Sequence, residues 1–145
     1  MATINNCNLP DDLYYWPEKH VWVRPESDGT VTVGMTDVAQ NLARKLVSCT
    51  IKKPGKPLER GKSVATVESG KWVGPVPMPV AGQVVAINEA AAANPSLVNQ
   101  APYGEGWIAR IMPSNWETDK AALVSGPEGI EAYRAFLDKE GIKCE

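Results

Sequence analysis

Among the residues that could do chemistry, one segment stands out: Val67-Glu68-Ser69-Gly70-Lys71-Trp72-Val73-Gly74-Pro75. A strand-like run ends here, a lysine follows a glycine, and Pro75, Pro77 and Pro79 then alternate in an extended stretch. Proline cannot donate to a strand ladder, so such a stretch belongs at a sheet edge. Lys71 is thereby placed at a hairpin tip, in solvent. A modifying enzyme can reach an amine in that position, and a group attached to it can swing freely. On position alone, Lys71 is also readable as one exposed lysine among ten. Trp72 beside it could cover such a group or cap the hairpin against its sheet.

The other reactive groups form no constellation. His20 is the single histidine and lies far from any nucleophile motif, so no catalytic triad and no His/Cys zinc cluster is read. There is no phosphate-cradling glycine loop. Cys7, Cys49 and Cys144 are an odd number at wide spacings. They read as neither a disulfide framework nor a CxxC pair, and point to a reducing, cytoplasmic compartment. Cys49 reads as a small core residue and Cys144 as exposed and incidental. His20 reads as a residue that fixes the first strand by a hydrogen bond.

The elements that must position Lys71 are mostly short strands between turns. Thr30-Val31-Thr32-Val33 follows Asp28-Gly29, Val64-Ala65-Thr66-Val67 follows Arg60-Gly61, and Gln83-Val84-Val85-Ala86-Ile87 follows Ala81-Gly82. Gly106-Trp107-Ile108-Ala109-Arg110-Ile111 is a fourth strand, stopped by Pro113. This spacing suggests a small antiparallel barrel or sandwich. Gly29-Thr30-Val31 and Gly82-Gln83-Val84 echo one another, and each leads to a short helix-like stretch (37–42 and 88–93). Two similar halves would explain the echo, as would chance. Asn94-Pro95 offers a helix start. A longer helix is read at about 126–140: Ser125-Gly126-Pro127-Glu128 resembles a capping box, Ile130, Tyr133, Phe136 and Leu137 share one face, and Gly141 ends it.

Composition bounds the function classes. With 145 residues, 43% hydrophobic and 22% charged, the chain reads as one globular domain (1–145), not a disordered or fibrous one. Twelve glycines and twelve prolines argue for turns and against a helical bundle. A net charge of −2 argues against nucleic acid as a partner. No apolar run is long enough to span a membrane, and residues 1–8 show no secretory signal. Seven basic residues (Arg44, Lys45, Lys52, Lys53, Lys56, Arg60, Lys62) against one acid, Glu59, lie within 44–62. The run is either a solvated face or a docking patch for an acidic partner, whose binding would weaken as salt rises.

From about residue 12 to 141 the chain resembles the H protein of the glycine cleavage system, a lipoyl carrier. The resemblance rests on several stretches in order. They are Glu18-Lys19-His20-Val21-Trp22-Val23, Val33-Gly34-Met35-Thr36-Asp37-Val38-Ala39-Gln40, Val67-Glu68-Ser69-Gly70-Lys71, Pro79-Val80-Ala81-Gly82, Val85 to Ala90, Asn94-Pro95-Ser96-Leu97-Val98-Asn99 and Pro102-Tyr103-Gly104-Glu105-Gly106-Trp107. It implies a mainly β fold, a flattened barrel or sandwich of two antiparallel sheets with quasi-twofold symmetry, short helices and a C-terminal helix. It also implies lipoate on Lys71, with Glu68, Ser69, Gly70 and Trp72 around it where a lipoate-attaching enzyme reads the hairpin. The chain would be a carrier serving partner enzymes, not an enzyme itself. Two stretches depart from the family's pattern. Trp72-Val73-Gly74-Pro75 replaces small residues and an acid after the lysine, and Leu42-Ala43-Arg44-Lys45 replaces a Leu-Gly-Asp element. The first is similar to the lipoate-binding proteins of heterodisulfide-reductase-like sulfur oxidation. That resemblance implies transfer of sulfur intermediates among subunits of such a cytoplasmic complex; the alternative is aminomethyl transfer in glycine cleavage.

Overall fold

The computed structural model describes residues 2–145. In chain order it contains β1 (Ala2–Ile4), β2 (Cys7–Leu9), β3 (Tyr14–Trp16), β4 (Val21–Pro25), β5 (Val31–Met35), α1 (Asp37–Ala43) and β6 (Leu46–Ile51). There follow β7 (Pro57–Leu58), β8 (Ser63–Ser69), β9 (Val73–Pro77), β10 (Gly82–Ile87), α2 (Glu89–Ala93) and α3 (Ser96–Gln100). The chain ends with β11 (Ala109–Pro113), α4 (Trp116–Asp119), β12 (Val124–Ser125) and α5 (Gly126–Glu140).

The strands form a mainly β sandwich. Its larger sheet has seven strands in the order β12-β3-β4-β5-β11-β10-β7, and its smaller sheet is β6-β8-β9. All pairings are antiparallel. A separate two-stranded hairpin, β1-β2, adds to the two sheets that the sequence suggests. The echo at Gly29 and Gly82 has a structural counterpart. Both strands run into a capped short helix, with Thr36 Oγ1 accepting from Ala39 N–H and Asn88 Oδ1 accepting from Ala91 N–H.

Strand alternation explains the two cores. Val21 and Val23 of β4 point into the sandwich with Val33, Val67, Val76 and Ile111, while Trp22 between them points the other way. Trp22 joins Leu9, Tyr15, Ile130, Tyr133 and Leu137 in a second core, under β1-β2 and α5. β4 is therefore apolar on both faces, as a strand covered from both sides must be. Gly34 is required here, because a Cβ would lie 2.7 Å from the Trp22 indole.

Several local expectations are corrected. The fourth strand begins at Ala109, not Gly106. Gly106 lies in a tight turn where its N–H donates to Ala101 C=O at 2.8 Å, and a Cβ would meet Leu97 O at 2.5 Å. Asn94 does not cap α3: the cap position falls on Pro95, while Asn94 terminates α2 and its Oδ1 accepts from Ser96 Oγ. The capping box of α5 is not formed. Ser125 precedes Gly126 at φ +67°, and its side chain makes no cap bond. The far end of α5 is as read, with Gly141 left-handed and its N–H donating to Asp138 and Leu137 carbonyls. Of the three alternating prolines, Pro75 and Pro77 lie in the edge strand β9, whereas Pro79 lies beyond it and is buried.

The cysteine reading is overturned. Cys7 and Cys144 form a disulfide across 137 residues of sequence, and both are buried. Cys144 is thus neither exposed nor incidental. The pairing arises because the segment after α5 returns to the β1-β2 turn. There Cys144 N–H donates to Asn5 C=O at 2.9 Å, and Asn5 Nδ2 donates to Ile142 C=O and Asp138 Oδ1. Cys49 is the free cysteine, buried as expected, with its thiol pushed up to about 11 by desolvation. The cysteine count therefore no longer argues for a reducing compartment. Among the described residues, no helix is long and apolar enough to cross a membrane.

Candidate functional site: the Lys71 hairpin and its cleft

β8 and β9 are joined by a turn at residues 70–72, with Glu68 paired to Val73. The Ser69 N–H donates to Trp72 C=O at 2.7 Å, closing the turn. Ser69 Oγ accepts from the N–H groups of both Lys71 (3.2 Å) and Trp72 (3.1 Å). A serine hydroxyl thus replaces a main-chain carbonyl as the acceptor that sets the turn. Ser69 is buried, so this network is shielded from competing water. Lys71 is exposed at the tip, as the sequence indicates. Gly70 has open space where a Cβ would be and an ordinary φ, so no steric demand in this chain requires glycine there.

Trp72 packs against its own hairpin, the second of the two roles read for it. Its indole folds back over Gly74, where a Cβ would overlap the ring, which anchors it to β9. It also remains 42% exposed and forms one wall of a cleft. Glu68 lies on the outer face of the smaller sheet, in a row with Ser48 and Val73, away from the inward-facing Val67. Lys71, Ser69, Gly70 and Trp72 therefore come together as one turn, and Glu68 flanks it from the outside.

The cleft beside Lys71 holds about 540 Å³. Met35, Leu42, Trp72, Pro75 and Val76 give it an apolar lining, and Glu18, Lys19 and His20 form a polar rim opposite Lys71. Sequence reasoning did not find Met35, Leu42 or Glu18 as part of the site. They come from β5, α1 and the short 3-10 turn Pro17–Lys19, which only the tertiary fold brings to the hairpin.

His20 makes the hydrogen bond expected of it, but to Tyr133 of α5 and not to the first strand, and it also lines the cleft. It takes a left-handed conformation (φ 55°) at the end of the 3-10 turn, and its Nδ1 lies 2.6 Å from Tyr133 Oη. Tyr133 Oη is also 2.9 Å from Thr36 Oγ1. Desolvation lowers the His20 pKa to about 4, so its ring is neutral at pH 7, and burial pushes the Tyr133 phenol well up. The Tyr133 hydroxyl thus bridges His20 Nδ1 and Thr36 Oγ1. This chain ties the start of α1, the face of α5 and the cleft rim together. Arg60, from the basic run, is likewise structural. Its guanidinium lies 3.8 Å from the Trp16 ring centre and its Nε donates to Pro79 C=O.

No three-residue His/Cys/Asp/Glu group among the described residues could hold a metal. The site can instead present a lysine amine on a fixed turn, next to an apolar trough. A glycine cleavage H-protein family model matches residues 13–139. The chain belongs to the glycine cleavage H-protein family. It is 47% identical to "Glycine cleavage system H protein 5" of Aquifex aeolicus over 99% of each chain. It is 44% identical to "Probable glycine cleavage system H protein 2" of Saccharolobus solfataricus, over 100% of this chain and 99% of that one. The crystal structure of a glycine cleavage system H protein from Mycobacterium marinum superposes with a TM-score of 0.74 at 28% identity, over 92% of this chain and 100% of that one. The sandwich with its C-terminal helix is thus the fold of this family.

Proposed function

We propose that residues 1–145 act as one lipoyl-carrier domain, with lipoate attached through an amide to Lys71 Nζ. The observation that carries this reading is the turn itself: Ser69 fixes the main chain on both sides of an exposed lysine, beside an apolar cleft. The fit is favourable, since the eight-carbon chain of lipoate is apolar and the trough is lined by Met35, Leu42 and Trp72. When bound, lipoate supplies a dithiol/disulfide pair whose thiolate is the nucleophile. The protein's own residues do the rest. Ser69 and Gly74 hold the turn and its tryptophan, Leu42 and Met35 give the arm an apolar rest, and exposure of Glu68, Gly70 and Lys71 gives a lipoate-attaching enzyme access. In this reading the chain carries and presents the group, and the reaction belongs to its partners.

Two partner sets fit such a carrier. The relatives carry glycine-cleavage names, and this favours the glycine-cleavage enzymes over the sulfur-oxidation reading. The second reading, a carrier for heterodisulfide-reductase-like sulfur oxidation, keeps one specific support. The hairpin continues as Trp72-Val73-Gly74-Pro75, with Trp72 folded over Gly74, where small residues and an acid mark the glycine-cleavage pattern. The experiment uses protein lipoylated in vitro and mapped by peptide mass spectrometry. Modification must fall on Lys71 and vanish in Lys71→Ala. Glycine–bicarbonate exchange with a competent glycine decarboxylase then separates the two. Robust exchange supports glycine cleavage, and none from fully lipoylated protein moves the assignment to the sulfur complex. Absence of any modification at Lys71 would refute the carrier reading altogether.

A further inference from the structure

The segment after α5 reaches the C-terminal end of α1. Glu145 places its carboxylate 2.7 Å from the Arg44 guanidinium, and its main-chain oxygen accepts from Asn41 Nδ2 at 3.4 Å. Arg44 follows α1, whose Leu42 and Ala43 line the cleft with Lys71 and Trp72. The Arg44 hydrogen bond and charge hold the Glu145 carboxyl below its ordinary range. The residues flanking Arg44 in sequence are apolar and basic: Leu42 is 42% exposed, and Lys45 makes no ion pair among the described residues.

An exposed ion pair of this kind is too weak to order a chain segment by itself. What holds Glu145 here is its neighbour, since Cys144 is covalently joined to Cys7. The chain thus clamps its own carboxylate onto Arg44, the residue that follows the cleft-lining Leu42 and Ala43, by a bond that a dithiol can open.

Resting on the carrier reading, we propose that Arg44 is a docking point for an acidic side chain of the enzyme that engages Lys71, and that Glu145 occupies this point until the Cys7–Cys144 disulfide is reduced. Opening requires a dithiol reductant. One of its thiolates attacks a cystine sulfur, the Cys7–Cys144 bond breaks, and the reductant's second thiolate resolves the mixed disulfide. Two electrons and two protons pass to the cysteines, and the reductant leaves as a cyclic disulfide. Because both sulfurs are buried, attack waits on local opening of residues 143–145. Ile142, which packs on the α5 core and donates its N–H to Leu137 C=O, stays in place.

The test has two arms on the full chain. Hydrogen exchange is compared with and without dithiothreitol, and the expected result is that 143–145 and the end of α1 gain more exchange than the general rise that lower global stability gives the core. No such excess on confirmed reduction overturns the latch. The second arm measures the KM of a lipoate–protein ligase for the unmodified chain. Reduction, and separately Glu145→Gln in the oxidised chain, lower KM roughly two- to fivefold, the worth of one exposed ion pair, with kcat unchanged. Arg44→Gln raises KM and abolishes the redox effect. Glu145→Gln keeps the disulfide and the fold, so it decides the matter even if cysteine variants are unstable. Equal KM in all forms overturns the docking role. Failure of every form to be modified at Lys71 refutes the carrier reading and the docking role with it, while the exchange result judges the latch separately.

Discussion

His20 is the single histidine, so its titration can be followed without ambiguity. Burial lowers its pKa from 6.5 to about 4, against a small opposing pull from Glu18. Between these two values the unfolded chain holds a proton that the folded chain does not, so unfolding takes one up. Stability therefore rises with pH across this window, is complete above about 6.5, and is lost as pH falls toward 4. Two and a half units correspond to about 3 kcal/mol, and partial exposure of the ring makes that an upper figure. Desolvation is the cause: the ring's Nδ1 contact is with the buried Tyr133 hydroxyl, which carries no charge to offset the loss of water around an imidazolium. The assay is an NMR titration of the imidazole carbons, with urea unfolding at pH 7, 5.5 and 4.5 for the native chain and for His20→Asn. The native chain should lose about 2–3 kcal/mol more than the variant between pH 7 and 4.5. A His20 midpoint near 6.5, or identical pH profiles for the two proteins, would refute the reasoning.

Tyr133→Phe leaves the His20 and Thr36 groups without their shared partner in a buried place, and should cost about 1–3 kcal/mol in denaturant unfolding. Reduction of Cys7–Cys144 opens a loop of 137 residues, for which chain entropy gives about 5 kcal/mol as a ceiling and about 2–4 kcal/mol as the usual yield. Thermal scans with and without dithiothreitol should differ by at least several degrees, and coincident curves would contradict the pairing. Gly74→Ala must displace the Trp72 indole from β9, so Trp72 emission should shift red while far-UV dichroism stays unchanged. Gly34→Ala drives a Cβ to 2.7 Å from the buried Trp22 ring and should cost about 1–3 kcal/mol or more by overpacking.

The sequence by itself determined the local parts. Turn dipeptides and alternation marked β5, β8 and β10, and the proline stretch marked β9 as an edge, because strand ends and edges depend on neighbouring residues alone. The exposed Lys71 at a turn was legible for the same reason, and the family motifs pointed to the sandwich. Two helix starts were misread because a cap forms only if the preceding backbone takes the right angle. Gly126 at φ +67° and Pro95 at the cap position prevent it. The cleft could not be read from the chain, since Met35, Leu42 and Trp72 share no periodic pattern and meet only when α1 packs beside the smaller sheet. The disulfide was misread outright. An odd cysteine count at wide spacing carries no geometry, and Cys7 and Cys144 meet only because α5 covers Trp22 and Tyr15 and returns the chain to the first hairpin. Short-range backbone chemistry is written in adjacent residues. Contacts across 137 positions are chosen by which apolar faces bury one another, and only the packed fold decides that.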